Sequence, residues 1–138
     1  MTDGTPPQLS VVIVNWNGAD YLGDCIDSVV GTDREIIIVD NASSDDSEAR
    51  VRPTRPGLTW LANDANLGFS MAANRGLGAA RGEYVLFLNP DARSNEEAVS
   101  AAIEVLAGNR AVGLVGVAVR DPEGNLLQFL CHPPLVGA

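Results

Sequence analysis

Uninterrupted apolar runs alternate along this chain with segments in which apolar residues recur every three or four positions. The runs at 9–15 and 35–40 are rich in β-branched residues and lack polar alternation, which is typical of strands covered on both faces. Between them, the apolar residues from Tyr21 to Val30 have helical spacing, and Gly31 predicts the end of that helix. By the same criteria the predicted strands are 9–15, 35–40, 58–61, 83–88, 112–119 and, as a returning edge strand, 126–130. The predicted helices are 21–30, 45–51, 69–80 and 98–107.

Strands and helices therefore alternate, which predicts an α/β fold. Because the strands are apolar throughout, we expect a mostly parallel sheet with helices on both faces. Ser94, with Glu97 three residues later, forms a capping box that predicts the start of the last helix. The 138 residues are enough for a single domain and leave no room for a second. Within it, residues 1–8 are predicted to be a polar lead-in and residues 131–138 an irregular tail.

The charge balance narrows the classes of partner. Nine basic and 18 acidic residues give a net charge of −9 at pH 7, which disfavours binding to nucleic acid or to anionic lipid headgroups. No apolar run is long enough to span a membrane, and the polar start predicts no secretory signal, so we expect a cytoplasmic location. Cys25 and Cys131 are too far apart to suggest a disulfide framework or a zinc site.

Three familiar motifs can be set aside. The glycines at 76, 78 and 82 lack the dinucleotide-binding spacing, and they precede a strand instead of following one. The chain contains no phosphate-binding P-loop motif. His132 lies in a proline-flanked tail without a nucleophile elbow, so a serine hydrolase is not indicated.

Asparagine and aspartate follow each of the first four predicted strands. These residues are Asn15 and Asn17, Asp40 and Asn41, Asn63 to Asn66, and Asn89 to Asp91. Ligands of open α/β sheets bind outside the carboxyl ends of the strands, so we expect these side chains to share one rim. Amide and carboxylate groups can contact a base, ribose hydroxyls or a metal, although the same residues are also common turn and cap residues.

Asp91 is the strongest candidate for a metal ligand. A carboxylate just beyond a buried strand can bind Mg²⁺ or Mn²⁺, which prefer oxygen ligands and bridge phosphate oxygens. The acidity of the chain makes a cation more necessary, because bare carboxylates would repel a diphosphate. Pro90 stiffens the segment and favours an extended Asn89. A plain turn at Asp91 remains the alternative.

Four segments in order carry a resemblance to a known family. They are SVVIVNWN at 10–17, IVDNASSD at 38–45, NLGF at 66–69 with Asn74, and RGEYVLFLNPD at 81–91. Together they resemble the family 2 glycosyltransferases, and most of all the rhamnosyltransferase branch of bacterial surface-polysaccharide synthesis. The resemblance extends over about 9–130. It implies a GT-A-type, Rossmann-like fold, a nucleotide-diphospho-sugar donor, a divalent cation (Mg²⁺ or Mn²⁺) and transfer with inversion to a saccharide or glycolipid acceptor.

The resemblance also implies roles for individual residues. Those matched to nucleotide binding are Val14, Asn15, Asn17, Asp40, Asn66, Gly68 and Asn89, and Asp91 is matched to the metal. Asn89 departs from the first aspartate of the family's D-x-D motif, and a neutral amide is the weaker metal ligand, so a ribose or sugar hydroxyl suits it better. The resemblance places the protein in the cytoplasm or at the inner face of the membrane, without a membrane span.

The greater departure from the family is length, because the family's acceptor half and general base usually lie beyond the point where this chain ends. The later carboxylates, Glu96, Glu97, Glu104, Asp121 and Glu123, offer no convincing base, so the catalytic residue stays unknown. We therefore expect a donor-binding part that lacks the usual C-terminal acceptor half and transfers little sugar alone. The alternatives are a non-catalytic nucleotide or nucleotide-sugar binding module with a partner, or an unrelated enzyme such as a nucleotidyltransferase. Bare apolar surface around 112–119 and 126–130 predicts self-association.

Overall fold

The computed structural model describes residues 4–120 and 126–131 of the chain. In these residues the strands form one sheet with the order β3-β2-β1-β4-β6-β5. The strands are β1 (Leu9–Asn15), β2 (Arg34–Asp40), β3 (Thr59–Ala62), β4 (Tyr84–Leu88), β5 (Leu114–Arg120) and β6 (Leu126–Cys131). The helices are α1 (Leu22–Asp27), α2 (Ser47–Val51), α3 (Gly68–Ala79) and α4 (Glu96–Gly108), and a 3₁₀ turn at Arg52–Thr54 follows α2.

The first four strands are parallel, and their register aligns their carboxyl ends. Asn15 pairs with Asp40 at the ends of β1 and β2, and Ile13 pairs with Leu88 at the end of β4. The predicted mostly parallel α/β sheet is therefore confirmed. The other two strands are antiparallel additions, β6 to β4 and β5 to β6.

Helices cover both faces of the sheet, as the strand pattern predicts. Alternate residues of β1 point to opposite faces, which separates the core into two clusters. One cluster packs β1 and β2 against α3, and the other packs the same strands against α1 and α4. The approach of α3 is close, because a Cβ on Gly76 would overlap a methyl of Val12 and lie 3.1 Å from Val39 Cγ2. Glycine is therefore required where this helix crosses the sheet.

The strands follow the prediction closely, but several boundaries and positions differ. α1 ends at Asp27, three residues before the predicted end. The capping box is wrong, because Asn95 caps α4 by accepting from the Ala98 N–H at 2.8 Å, whereas the N–H of Ser94 donates to Ser28 Oγ.

The carboxyl-terminal strands also differ from expectation. The predicted edge strand is wrong as placed, since β6 lies between β4 and β5, and β5 forms the edge. Cys131 belongs to β6 and not to the predicted tail. The other residues of that tail, 132–138, fall outside the described part of the chain. So do residues 1–3 and the predicted turn at 121–124. None of the helices within the described ranges has the length and apolar character needed to cross a membrane.

Candidate functional site

The carboxyl ends of β1, β2 and β4 meet at one rim of the sheet. Asp40 is the register partner of Asn15 on one side of β1. On the other side, the β1–β4 register places the residues after Leu88 beside the end of β1. Neighbouring strands lie about 4.8 Å apart, so Asp40 and the Asn89–Asp91 segment are separated by roughly two strand spacings, about 10 Å. The structure thus brings together the two candidate regions on which the sequence hypothesis depends.

Asp40 is held rigidly by its neighbours. Its Oδ1 accepts from Asn15 Nδ2 at 2.9 Å and from Ser43 Oγ at 2.7 Å, and its Oδ2 accepts from the Ser43 N–H at 3.0 Å. Both Asn15 and Asp40 are buried, with 0% and 8% of their surface exposed. The Asn15 side chain therefore orients the Asp40 carboxylate, while one edge of that carboxylate remains at the rim.

A second set of hydrogen bonds joins the loop after β1 to the loop after β2. Asn17 adopts a left-handed conformation with φ +54°, and its Oδ1 accepts from the N–H groups of Ser44 at 2.8 Å and Asp45 at 3.2 Å. In return, the Asn17 N–H donates to Ser43 Oγ at 2.9 Å and the Ala19 N–H donates to the Asp45 carboxylate at 3.0 Å. We call these two loops, residues 15–19 and 40–45, the loop clasp.

The loop clasp affects the protonation of Asp45. Burial opposes the charged form of this carboxyl, but hydrogen bonds from the Ser47 hydroxyl and from the N–H groups of Ala19 and Ser47 outweigh it. The pKa of Asp45 therefore lies below its ordinary value. The carboxylate stays charged at neutral pH and keeps the two loops together.

Asn41 organises the loop that leads into α3. Its Oδ1 accepts from Asn63 Nδ2 at 2.9 Å and from the Leu67 N–H at 3.4 Å, and its Nδ2 donates to the Gly68 carbonyl at 3.2 Å. Arg75 supports the same network, because its guanidinium donates to Asn63 Oδ1 and to the carbonyl of Ala62. Gly68 has φ +80°, a conformation that favours glycine.

The segment Asn89–Pro90–Asp91 forms a tight turn. The Asn89 carbonyl accepts from the Ala92 N–H at 3.0 Å, so Pro90 and Asp91 are its two central residues. The turn packs against Gly18, where an added Cβ would lie 3.4 Å from Pro90 Cβ and would overlap Asn15 Oδ1. Glycine at position 18 therefore lets the β1 loop approach the turn closely. Asp91 is exposed on the outside of this turn.

The predicted site residues divide by accessibility. Val14 is 8% exposed and Asn15 is fully buried, so neither side chain offers much surface to a ligand. Asn17, Asn66, Gly68 and Asp91 are exposed, and Asn89 is half-buried. The Asn66 side chain accepts from the Gly68 N–H at 2.9 Å and so shapes the loop. All of the predicted residues lie along the rim or in the loops that border it.

Several residues that build the rim received no role from the sequence. They are Gly18, Cys25, Asn41, Ser43, Asn63 and Arg75. Asn41 and Asn63 were expected at this rim, because each directly follows a predicted strand, but the sequence assigned neither of them a role. Cys25 gave no signal, since a cysteine among apolar helix residues is usually an ordinary core residue.

The donor set at the rim fits a cation that arrives with a nucleotide. Among the residues that the structure describes, no group of three or more His, Cys, Asp and Glu side chains could hold a metal by itself. Asp91 offers one exposed carboxylate from a central position of the turn. Mg²⁺ and related ions are commonly held by one or two carboxylates together with substrate phosphates and water. The chemistry therefore fits a shared metal better than an all-protein cage.

The sequence matches a protein family and several curated relatives. The model of Glycosyl transferase family 2 matches residues 10–133. An uncharacterized glycosyltransferase of Nostoc sp. (strain PCC 7120) is 34% identical over 114 residues, which cover 78% of this chain and 35% of the relative. The N-acetylglucosaminyl-diphospho-decaprenol L-rhamnosyltransferase of Mycobacterium tuberculosis is 27% identical over 140 residues, covering 91% and 44%. The chain spans between about a quarter and just over half of the length of the curated relatives it matches.

The fold matches solved glycosyltransferases. The mannosyltransferase PcManGT of Pyrobaculum calidifontis, in complex with GDP-Man and Mn²⁺, superposes with a TM-score of 0.79 over 94% of this chain and 45% of its own, at 22% identity. The glucosyl-3-phosphoglycerate synthase of Mycobacterium tuberculosis, in complex with Mn²⁺, UDP and glucosyl-3-phosphoglycerate, has a TM-score of 0.64 at 25% identity, covering 78% and 42%. The predicted GT-A-type fold is therefore confirmed.

Proposed function

Since this chain belongs to glycosyl transferase family 2, we propose that it binds a nucleotide-diphospho-sugar at the rim and serves in transfer of the sugar to a saccharide or glycolipid acceptor. The observation that carries the proposal is that Asp40 at the end of β2 and the Asp91 turn after β4 lie at one rim, on parallel strands that flank β1 on either side. A nucleoside at Asp40 would place its diphosphate toward Asp91 across about two strand spacings.

Each part of the rim has a distinct task in this proposal. Asp40 accepts hydrogen bonds from the nucleoside through the carboxylate edge that Asn15 and Ser43 leave free. Gly68 and Asn66 border the nucleotide from the loop that Asn41 holds. Asn89, half-buried at the end of β4, offers an amide to ribose or sugar hydroxyls.

Asp91 would hold the divalent cation together with the diphosphate. Such a cation acts as a Lewis acid that stabilises the negative charge on the departing nucleoside diphosphate. The solved complexes of similar proteins with Mn²⁺ support this assignment, and they make Mn²⁺ the first ion to test. Without it, the carboxylates of this acidic chain would repel the diphosphate.

The transferred sugar and the stereochemistry belong to the same proposal. Similarity to the mycobacterial L-rhamnosyltransferase makes rhamnose the first sugar to test. Inversion requires a base that takes the acceptor proton on the face opposite the leaving group. The described carboxylates beyond Asp91 do not suit that role, because Glu96 is paired with Arg34, and Glu97 and Glu104 are exposed on α4.

That lack of a base within the described ranges favours a second candidate, a module that binds the nucleotide-sugar without transferring it. The two candidates make different predictions for the purified chain. A transferase part, even one that transfers little sugar alone, releases some nucleoside diphosphate from its donor when an acceptor is added, whereas a binding module gives saturable donor binding without turnover. Coupled detection of released nucleoside diphosphate separates them.

Thermal unfolding with UDP, GDP and dTDP, each with Mn²⁺ or with EDTA, tests the proposed binding. A nucleotide present at about 100 times its Kd adds about 2.7 kcal/mol to the free energy of unfolding, or roughly 10 °C in Tm for a chain of this length. We expect Asp91→Asn to abolish the Mn²⁺-dependent part of that shift. Glu104→Gln removes one charge from an exposed position of α4 and is the matched control. Absence of any nucleotide-dependent shift in the wild type would refute the proposal.

A further inference from the structure

The turn that carries Asp91 is hydrogen-bonded to a buried thiol of α1. Cys25 of α1 donates from Sγ to the Asn89 carbonyl at 3.3 Å, and the same carbonyl closes the turn by accepting from the Ala92 N–H. The thiol therefore holds the first residue of the turn, two positions before Asp91. Cys25 is fully buried, so water does not compete for this bond.

Two further contacts from α1 and its end hold the segment that follows the turn. The Ser94 N–H donates to Ser28 Oγ at 3.0 Å, and the Arg93 guanidinium pairs with the Asp24 carboxylate at 2.6 Å. Ser28 follows Cys25 by three positions and Asp24 by four. The three residues therefore lie on the side of α1 and its end that faces this segment. The segment is thus fixed to α1 on both sides of Asp91.

The chain that leads into α1 is part of the loop clasp. Asn17 is hydrogen-bonded to Ser43 and Ser44, and Gly18 packs against Pro90. A single stretch of chain, residues 15–28, therefore contacts both the Asp40 side and the Asp91 side of the rim. Its position sets the distance between them.

The thiol is suited to act as a permanent donor. Burial raises the pKa of Cys25 to about 12, and the nearby Asp91 carboxylate adds to the effect. Cys25 therefore keeps its proton at any pH at which the protein works.

We propose that Cys25 is a positioning residue for Asp91: its thiol fixes the Asn89 carbonyl, and so the turn, in the orientation that presents the Asp91 carboxylate to a nucleotide-bound cation. The inference rests on the proposed function. It assigns the thiol a role in cation-assisted binding only. The Asp40 carboxylate, at the nucleoside end of the rim, is oriented by Asn15 and Ser43 without any contact from the thiol. Loss of the thiol should therefore weaken binding with the cation and leave binding without it unchanged.

Calorimetric titration of UDP, GDP and dTDP, each with Mn²⁺ and with EDTA, tests this division. The ratio of the two Kd values measures the coupling between cation and nucleotide. We expect Cys25→Ala to reduce the ratio about fivefold or more while the Kd in EDTA stays within about twofold of the wild type. Cys25→Ser keeps a donor and should retain most of the ratio. Ile26→Val removes a methylene from a neighbouring buried side chain of the same helix and leaves the Cys25 hydrogen bond to the turn in place, so it should retain all of the ratio.

Each outcome decides the inference. A reduced ratio in Cys25→Ala with recovery in Cys25→Ser supports it, and an unchanged ratio, or an equal fall in Ile26→Val, overturns it. Should Cys25→Ala fail to fold, Cys25→Val fills the space of the sulfur without a donor and replaces it in the comparison. Nucleotide binding that Mn²⁺ does not strengthen in the wild type overturns the inference and the assignment of the cation to Asp91, and it leaves the proposed nucleotide binding standing. Absence of nucleotide binding in both conditions overturns the proposed function as well.

Discussion

Replacing Asn41 by alanine should loosen the loop that leads into α3. The Asn41 amide is 97% buried, being only 3% exposed, and it makes three hydrogen bonds that join the end of β2 to that loop. Alanine removes all three and keeps the backbone free to adopt its present conformation. The variant therefore isolates the contribution of this side chain.

The expected fall in the free energy of unfolding depends on whether water can replace each lost hydrogen bond. Asn63 is only 8% exposed, so its Nδ2 becomes a buried donor without an acceptor, at a cost of about 1–3 kcal/mol. Leu67 and Gly68 are exposed, so water can take the place of the amide, and each of these bonds contributes at most about 1 kcal/mol. We expect the free energy of unfolding to fall by about 3 kcal/mol, which is about 10 °C in Tm for a chain of this length.

Urea unfolding followed by circular dichroism measures this change. Asn66→Ala is the matched control, because it removes one hydrogen bond in the same loop, to the Gly68 N–H, from an exposed side chain. The control should lose no more than about 1 kcal/mol. A fall in Asn41→Ala of less than about 1 kcal/mol, or one equal to that of the control, would refute the claim that this amide organises the loop.

Two further predictions concern packing and pH. Gly76→Ala should lower the free energy of unfolding by about 1–3 kcal/mol, because the added Cβ overlaps Val12. Gly78→Ala, in open space on the same helix, should raise it by about 0.5–1 kcal/mol. Equal effects of the two substitutions in urea unfolding would contradict the close approach of α3 to the sheet. The pKa of Asp45 is lowered in the folded protein, so its stabilisation is complete above the unfolded carboxyl pKa of about 3.9 and is lost as the pH falls through the lower folded value. The stability deficit of Asp45→Asn should therefore be largest near neutral pH and shrink below about pH 4, and a deficit that does not change with pH would count against the loop clasp.

The sheet and the place of the site could be predicted because they depend on simple repeating chemistry. The β-branched runs at 9–15 and 35–40 have no alternation, which leaves a buried parallel strand as the natural interpretation. Once these strands are parallel, their carboxyl ends must share a rim, so Asp40 and Asp91 could be placed at one edge before any coordinates were known.

The remaining details could not be predicted because they depend on partners distant in sequence. Asn95 caps α4 in place of Ser94, and the backbone N–H of Ser94 donates instead to Ser28, 66 residues away. The position of β6 between β4 and β5 depends on which strand edge is left to pair, which no local pattern records. Asn15 was expected to face a ligand, but the site needs that amide to orient Asp40.

The loop clasp has a thermodynamic consequence. Asn17 and Ala42 have φ values of +54° and +59°, conformations that cost non-glycine residues about 1–2 kcal/mol each. That cost, and the entropy of ordering both loops, is met when the protein folds and not when the proposed nucleotide binds. A ligand that enters the rim then encounters groups already in their final orientation, so it gives up mainly its own freedom of motion. Preorganisation of this kind favours tight and selective recognition by a surface of only modest size.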